Sequence, residues 1–336
     1  MRRVVADLWA KIQKNPSYAS PILAEGLRAA RQLGSKERPV VGDTVLGLIR
    51  HRDALRRLDV DPLAAWELLL APPGGDASID TMNLAPDADD PVDDYTTALS
   101  LPTTLARQWW RRLGQENAWQ LASTLCGRAP VVLRLLRPPR DLPAHTLHTP
   151  RTAVLERRLN LDLLPDYREG RVIVQDAGSQ EIVDRSFPGP GARVLDLCAG
   201  AGGKSLALAA LGAEVQAWDV RGSALHELQR RAARAGLRVR VGPPDGRYDL
   251  VLVDAPCSGS GVLRRHPENR LKLKIPGQAQ LRLLEQALGL GDAVVYATCS
   301  LDEEENERLV RRLGVPQWEA TLWPDPVREG YYLAKM

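Results

Sequence analysis

Lysine and phenylalanine are scarce in this chain. Of its 336 residues seven are Lys and one is Phe, aromatic residues make up 5%, and there are four Cys. No apolar run approaches the roughly 18 residues that a membrane-spanning helix needs. The opening MRRVVADLWAKIQK interleaves charges with its apolar residues, unlike a signal peptide. A cytoplasmic protein with no membrane partner is expected. Cys126, Cys198, Cys257 and Cys299 show no C-x-x-C spacing, which argues against a zinc site and against a secreted disulfide framework, so no metal is expected. A cysteine with a special role here acts as a thiolate.

The scarcity of Lys leaves 38 Arg among 45 basic residues, and the planar Arg fork suits phosphate and base edges. Residues 76–94 carry seven Asp and no Lys or Arg; without them the formal charge rises from +3 to +10. That balance permits RNA binding. Codon bias produces the same Arg excess, so composition alone does not decide.

Apolar residues recur at three and four along residues 3–58: Val5, Leu8, Ile12; then Ile22, Leu23, Leu27, Ala30; then Val41, Val45, Leu48, Ile49. Three amphipathic helices are expected there. Residues 71–94 are rich in Pro, Gly and Asp and read as a solvated linker. Residues 101–125 read as helical with a break at Gly114, and VVLRLLR (131–137) reads as a strand. From RVIVQDAG (171–178) onward, short apolar runs alternate with helical patterns. Such interleaving implies βαβ units and a mostly parallel, doubly wound α/β sheet.

In open α/β sheets ligands bind beyond the carboxyl ends of the strands. VLDLCAGAGGKS (194–205) ends a strand in a turn holding Gly200, Gly202 and Gly203, where a ligand can lie against backbone N–H groups at a helix start. The next strand ends at Asp219, at the spacing where an acid meets a ribose. Nicotinamide and S-adenosylmethionine enzymes share this pair of features. Asp245 follows another strand, and VLVDAPCSGSG (251–261) delivers Asp254 and Cys257 at the end of the next. YATCS (296–300) places Cys299 at the same edge. Singly each cysteine reads as a core thiol; together, beside a nucleoside turn and Asp254, they read as catalytic. A methyltransferase acting on cytosine has a defined use for a thiol. C5 is too weak a nucleophile to take a methyl until a thiolate adds to C6, and Asp254 can polarise the ring at N3 or the exocyclic amine. A second cysteine can assist elimination. Chemistry alone does not order the two.

VLDLCAGAGGKS, VLVDAPCSGSGVLRRHPE (251–268) and VVYATCSLDEEENE (294–307), in this order, resemble the Nop/Sun family of RNA cytosine-5 methyltransferases, as does VQDAGSQ (174–180). GPPDGR (242–247), LRRHPE (263–268) and the N-terminal helices are most similar to its bacterial 16S rRNA branch, which carries a NusB-like helical domain. The likeness covers about residue 129 to the C-terminus, and residues 3–58 more loosely. It implies a Rossmann-like S-adenosylmethionine-dependent methyltransferase domain with a small all-helical N-terminal domain. It makes Cys299 the nucleophile and Cys257 the residue that helps release product. It assigns S-adenosylmethionine to Cys198, Ala199, Gly200, Ala201, Gly202, Gly203 and Lys204, with Asp219 at the ribose, Asp245 near the adenine and Asp254 near the reacting centre. RNA contacts are expected from Arg134, Arg264, Arg265 and His266.

The expected organisation is a reduced NusB-like domain over 1–75, an acidic linker over 76–94, an intermediate RNA-recognition segment over 95–169 and a catalytic domain over 170–336, acting as a monomer. The sequence departs from the family pattern at Ala201, where Pro is usual, and at Leu136, where Asn is usual. The stretch between Asp245 and Asp249 is short, and LGLGDA (288–293) replaces a Gly-Gly turn. The expected substrate is 16S rRNA, with transfer RNA as the nearest alternative and a catalytically silent RNA-binding assembly factor as the alternative from another class.

Overall fold

The computed structural model describes residues 1–57, 59, 61, 91–271, 273 and 276–336. Two compact units divide the chain: Met1–Ala129 with Ser258–Lys274, and Pro130–Cys257 with Ile275–Met336. The expected intermediate segment 95–169 is therefore shared between them, with the boundary at 129/130. Residues 76–90 of the acidic linker lie outside the described residues, while residues 91–94 open a helix.

The first unit is helical. Helices α1 (Arg2–Lys14), α2 (Ala19–Ala29), α3 (Glu37–Arg50) and α4 (Arg52–Arg57) follow the apolar periodicity, and Val5, Leu8, Ile12, Val41, Val45, Leu48 and Ile49 form one buried cluster. Gly26 allows α2 to approach α1, since a Cβ there would collide with Leu8. Helix α5 (Pro91–Leu99) is followed by α6 (Thr103–Cys126), which breaks at Gly114, where φ is +73°. Trp109 is fully buried, and Trp110 and Trp119 set their ring edges against Tyr95, so these aromatics fill a core. Cys126 is buried in the same region.

The excursion Ser258–Lys274 is held inside this helical unit by polar contacts. The guanidinium of Arg270, 4% exposed, donates to the carbonyls of Leu99 (2.8 Å), Leu263 (2.8 Å) and Leu125 (3.0 Å). Leu99 and Leu125 stand at helix C-terminal ends, where carbonyls lack intrahelical donors and attract a cation. Arg50 donates to the carbonyl of Arg264 (3.1 Å) and Ser20 to Glu268 (3.0 Å).

The second unit holds two sheets. Strands β1 (Val131–Leu135), β2 (His145–Thr149), β3 (Thr152–Leu155) and β4 (Val172–Val174) form an antiparallel sheet in the order β2-β3-β1-β4. The run at 171–178 thus joins this small sheet and leads into α7 (Ala177–Ser186), instead of opening the parallel one. The larger sheet runs β10-β11-β9-β8-β5-β6-β7. Its members are β5 (Arg193–Asp196), β6 (Glu214–Ala217), β7 (Val239–Val241), β8 (Tyr248–Asp254), β9 (Gly291–Thr298), β10 (Trp318–Leu322) and β11 (Tyr331–Lys335). Strands β5 to β9 pair in parallel, and β11 and β10 close one side antiparallel. Val251, Leu252 and Val253 in β8 and Val295, Tyr296 and Ala297 in β9 are fully buried. Cover on both faces explains why these strands read as continuous apolar runs.

Helices α8 (Gly203–Ala210), α9 (Gly222–Ala235) and α10 (Gly277–Leu290) make three of the crossovers. Between β7 and β8 only residues 242–247 connect, with no helix. The sheet there borders an open cleft of about 950 Å³ lined by Arg193, Gln216, Leu237, Arg240 and Tyr248. The chain turns at β5: β6 and β7 build outward on one side, β8 and β9 on the other. Their carboxyl ends flank the switch point at which open α/β sheets bind ligands. Among the described residues no helix is long and apolar enough to cross a membrane.

Candidate active site

The turn after β5 is built from glycines in left-handed backbone. Gly200 has φ +52° and Gly202 φ +82°, and a Cβ on Gly202 would lie 2.5 Å from Cγ of Leu228 on α9. Side chains rarely accept either condition. Ala201, where the family pattern has Pro, is tied by its carbonyl to Nη1 of Arg231 (2.7 Å), so the turn is braced from α9. Gly203 begins α8 and leaves the backbone of its first turn uncovered by side chain.

Acidic groups surround this turn. Asp219, two residues beyond β6 and 6% exposed, accepts from the backbone N–H of Gly200 (2.8 Å) and, through Oδ1 and Oδ2, from Nε and Nη2 of Arg221 (3.0 Å each). The Arg221 hydrogen bonds hold its carboxyl below the ordinary range, against the effect of burial. Asp196, the last residue of β5, accepts from Ser205 Oγ at 2.6 Å through Oδ2, while its buried Oδ1 has no protein partner among the described residues. Burial pushes its pKa up to about 6, with Ser205 opposing and Asp254 adding to the rise. Cys198 is pushed up to about 12, chiefly by burial and then by Asp196, which makes it an inert thiol.

Lys204, 8% exposed in the first turn of α8, donates to Oδ2 of Asp254 at 2.7 Å and lies 5.9 Å from the Tyr331 ring centre. Burial pushes the ammonium pKa down, but Asp254 outweighs it, with Asp196 and Cys299 adding, and the group stays cationic. Lys204 is thus the counter-ion of Asp254 and not a solvated surface charge.

The two cysteines meet. In the parallel β8/β9 ladder Asp254 pairs with Ala297, and the N–H of Ala255 continues it to the Ala297 carbonyl (2.8 Å). The register brings the next residues of both strands out at one edge, and Sγ of Cys257 lies 3.3 Å from Sγ of Cys299. No disulfide joins them. The structure therefore brings together Cys257 with Cys299, Lys204 with Asp254, and Asp219 with the glycine turn.

Three expected residues fall elsewhere. Asp245 is half-exposed, pairs with Arg240 (2.7 Å), and lies 3.9 Å from Arg193, the first residue of β5. The six-residue connection must return at once to the amino edge of the sheet, which carries Asp245 away from the glycine turn. Arg134 is 1% exposed and donates to the Gln180 carbonyl (3.2 Å) and to Asp184 (2.7 Å), so its side chain fastens β1 to α7. Arg264 is 3% exposed, buried because its segment packs into the helical unit. Arg265 is half-buried and His266 is exposed, its Nδ1 3.4 Å from Glu268. Sequence reasoning missed Asp196, whose signal was an acid ending the strand before the glycines, and Tyr331, which reads only as a strand aromatic.

Residues 187–334 match the family model described as 16S rRNA methyltransferase RsmB/F. That segment is similar to the methyltransferase domain the family model describes. The chain is 34% identical over 183 residues to a Ribosomal RNA small subunit methyltransferase B from Proteus mirabilis, covering 48% of this chain and 43% of that protein. It is 36% identical over 182 residues to the protein of the same name from Escherichia coli, covering 48% and 42%. The match thus spans less than half the length of these curated relatives. Among solved structures, PH0851 superposes with a TM-score of 0.73 at 20% identity, covering 99% of this chain and 96% of that one. A methyltransferase homolog protein from Pyrococcus horikoshii gives 0.60 at 22% identity, covering 73% and 97%. At these identities the likeness establishes the fold alone, a Rossmann-like α/β sheet with a helical N-terminal region, and the match to the RsmB/F model lies in its carboxyl half.

Proposed function

We propose that this chain methylates C5 of a cytosine in RNA, with S-adenosylmethionine as methyl donor and 16S rRNA as substrate. The observation that carries the reading is the 3.3 Å approach of the Cys257 and Cys299 sulfurs at the carboxyl edge of β8 and β9, in a segment that matches the RsmB/F family model. The residues fit the cofactor at the glycine turn: Gly200 and Gly202 adopt a backbone that keeps side chains out, Gly203 starts a helix, and Asp219 stands beside Gly200. Arg221 shares Asp219 with whatever ribose it holds. When bound, S-adenosylmethionine supplies a methyl group on a sulfonium centre for the activated C5.

The protein's own residues do the rest. Cys299 as thiolate adds to C6, which gives C5 enamine character. Lys204 engages Oδ2 of Asp254, which leaves Oδ1 to accept from the exocyclic amine and draw the ring toward addition. After transfer Cys257 as thiolate, already beside Cys299, takes the C5 proton, the C5–H electron pair restores the C5=C6 bond, and the Cys299–C6 pair returns to the Cys299 sulfur. The target base must be unpaired or flipped out for a thiolate to reach C6.

The location of Asp245 away from the glycine turn favours one other reading, an RNA-binding assembly factor without turnover. The test is incubation with tritium-labelled S-adenosylmethionine and either 16S rRNA or transfer RNA from cells lacking the modification, followed by nucleoside mass spectrometry. 5-Methylcytidine in 16S rRNA is expected. Label in transfer RNA alone moves the substrate, and RNA binding with no label on either supports the assembly-factor reading.

A further inference from the structure

Gln280 stands where an apolar residue is the ordinary occupant. It heads the buried face of α10, followed at i+4 and i+7 by Leu284 and Ala287, and it is 0% exposed. Buried amides persist where their hydrogen bonds do something that packing cannot. One hydrogen of its Nε2 goes to the carbonyl of Pro256 (2.9 Å), the peptide unit immediately before Cys257. The other goes to Oε1 of Glu305 (3.1 Å), in the segment that follows Cys299.

That second segment is itself fastened around Cys299. Tyr296 donates to the backbone carbonyl of Glu305 (2.8 Å). Asn306 accepts from Thr298 Oγ1 (2.6 Å) and donates to the Ser300 carbonyl (2.9 Å), which brackets Cys299 on both sides. Gln280, Thr298, Ser300, Glu305 and Asn306 are all fully buried. Gln280 reaches from this network across to the other cysteine's loop.

We propose that Gln280 is a positioning residue for the cysteine pair, tying the loop before Cys257 to the segment after Cys299 and so holding the two sulfurs 3.3 Å apart. Its catalytic meaning rests on the methyl-transfer reading; the thiol spacing is a property of the folded chain alone. With Cys299 bonded to C6, a second thiol held this close stands at the neighbouring carbon without movement of the chain. Loosening the tie slows release after transfer and leaves RNA recognition untouched.

The test reads the spacing directly. The reduced full chain is treated with diamide, whose N=N bond takes up two thiol protons and two electrons as an S–S bond forms. The Cys257–Cys299 disulfide is timed by peptide mass spectrometry, with buried Cys126 as the unreactive control. Wild type crosslinks; Gln280→Met crosslinks about tenfold more slowly, the equivalent of one lost buried hydrogen bond. Gln280→Glu, which keeps the shape and removes the amide donor, behaves alike and stands in if Gln280→Met does not fold. In methylation assays kcat falls about tenfold while KM for RNA stays within about twofold, a split that mere destabilisation does not produce. A folded variant that crosslinks at the wild-type rate overturns the proposal, as does a wild type that forms no such disulfide. A normal thiol result with no RNA methylation by wild type leaves the positioning intact and removes the functional reading.

Discussion

Replacing Gly202 and Gly203 by Ala, one at a time, separates a glycine demanded by backbone and packing from one demanded only by a ligand. At Gly202 φ is +82°, a conformation costing Ala roughly 1–2 kcal/mol. A Cβ there would meet Leu228 at 2.5, 2.9 and 3.2 Å, and relieving such overpacking costs about 1–3 kcal/mol. The stiffer unfolded chain returns about 0.4–1 kcal/mol. The net for Gly202→Ala is a loss of about 3 kcal/mol. At Gly203 φ is not positive, the residue begins α8, and the nearest atom to an added Cβ is Gln175 Nε2 at 3.7 Å, an ordinary contact. Gly203→Ala should therefore be neutral or more stable by about 0.5 kcal/mol, while weakening S-adenosylmethionine binding if the ligand lies against that turn. Urea unfolding followed by circular dichroism, with hydrogen exchange read in α8, measures the first contrast; calorimetric titration of S-adenosylmethionine measures the second. Equal stabilities within about 0.5 kcal/mol, or Gly203→Ala as the worse variant, would refute the reasoning from backbone and packing.

The raised pKa of Asp196 has a defined pH signature. With a folded value of about 6 against an ordinary 3.8, the protonated carboxyl is favoured in the fold, so stability present below about pH 4 is lost as pH rises through about 6. Asp196→Asn keeps an acceptor for Ser205 and removes that loss, gaining on the order of 3 kcal/mol at pH 7.5 relative to wild type; urea midpoints from pH 4 to 8 that run parallel for the two proteins would contradict it. Arg134→Met breaks the tie to Asp184 and Gln180. Because Asp184 is 41% exposed and can resolvate, the expected cost is about 2 kcal/mol, below that of a fully buried pair. Filter binding of RNA by the folded variant should match wild type, and a clear loss would return Arg134 to the RNA interface.

Much of the carboxyl half was legible because its strands are covered on both faces. Continuous apolar runs ending in Asp196, Asp254 and Thr298 mark strands and their carboxyl ends, and parallel pairing then forces Cys257 and Cys299 to one edge. What local pattern cannot carry is the route of a connection. Asp245 reads as a strand-end acid like Asp219, but six residues between β7 and β8 send it back to the amino edge. The same blindness hid the placement of residues 258–274, where LRRHP looks like a basic surface turn while Arg270 spends its donors on carbonyls within the helical unit. Arg134 sits in a strand whose neighbours Val132 and Leu133 are also buried, and an Arg there reads as outward until α7 is seen against it. Gln280 carried a signal that was passed over: a polar residue in line with Leu284 and Ala287 on an apolar stripe.

The central claim is that Cys299 attacks the base and Cys257 helps it leave. The most direct measurement incubates the Cys257→Ala variant with S-adenosylmethionine and unmodified 16S rRNA and looks for a covalent protein–RNA adduct on a denaturing gel. The account predicts an adduct that accumulates in Cys257→Ala and disappears when Cys299 is also replaced by Ala. An adduct that survives loss of Cys299, or no adduct in Cys257→Ala while wild type methylates the same RNA, would contradict it.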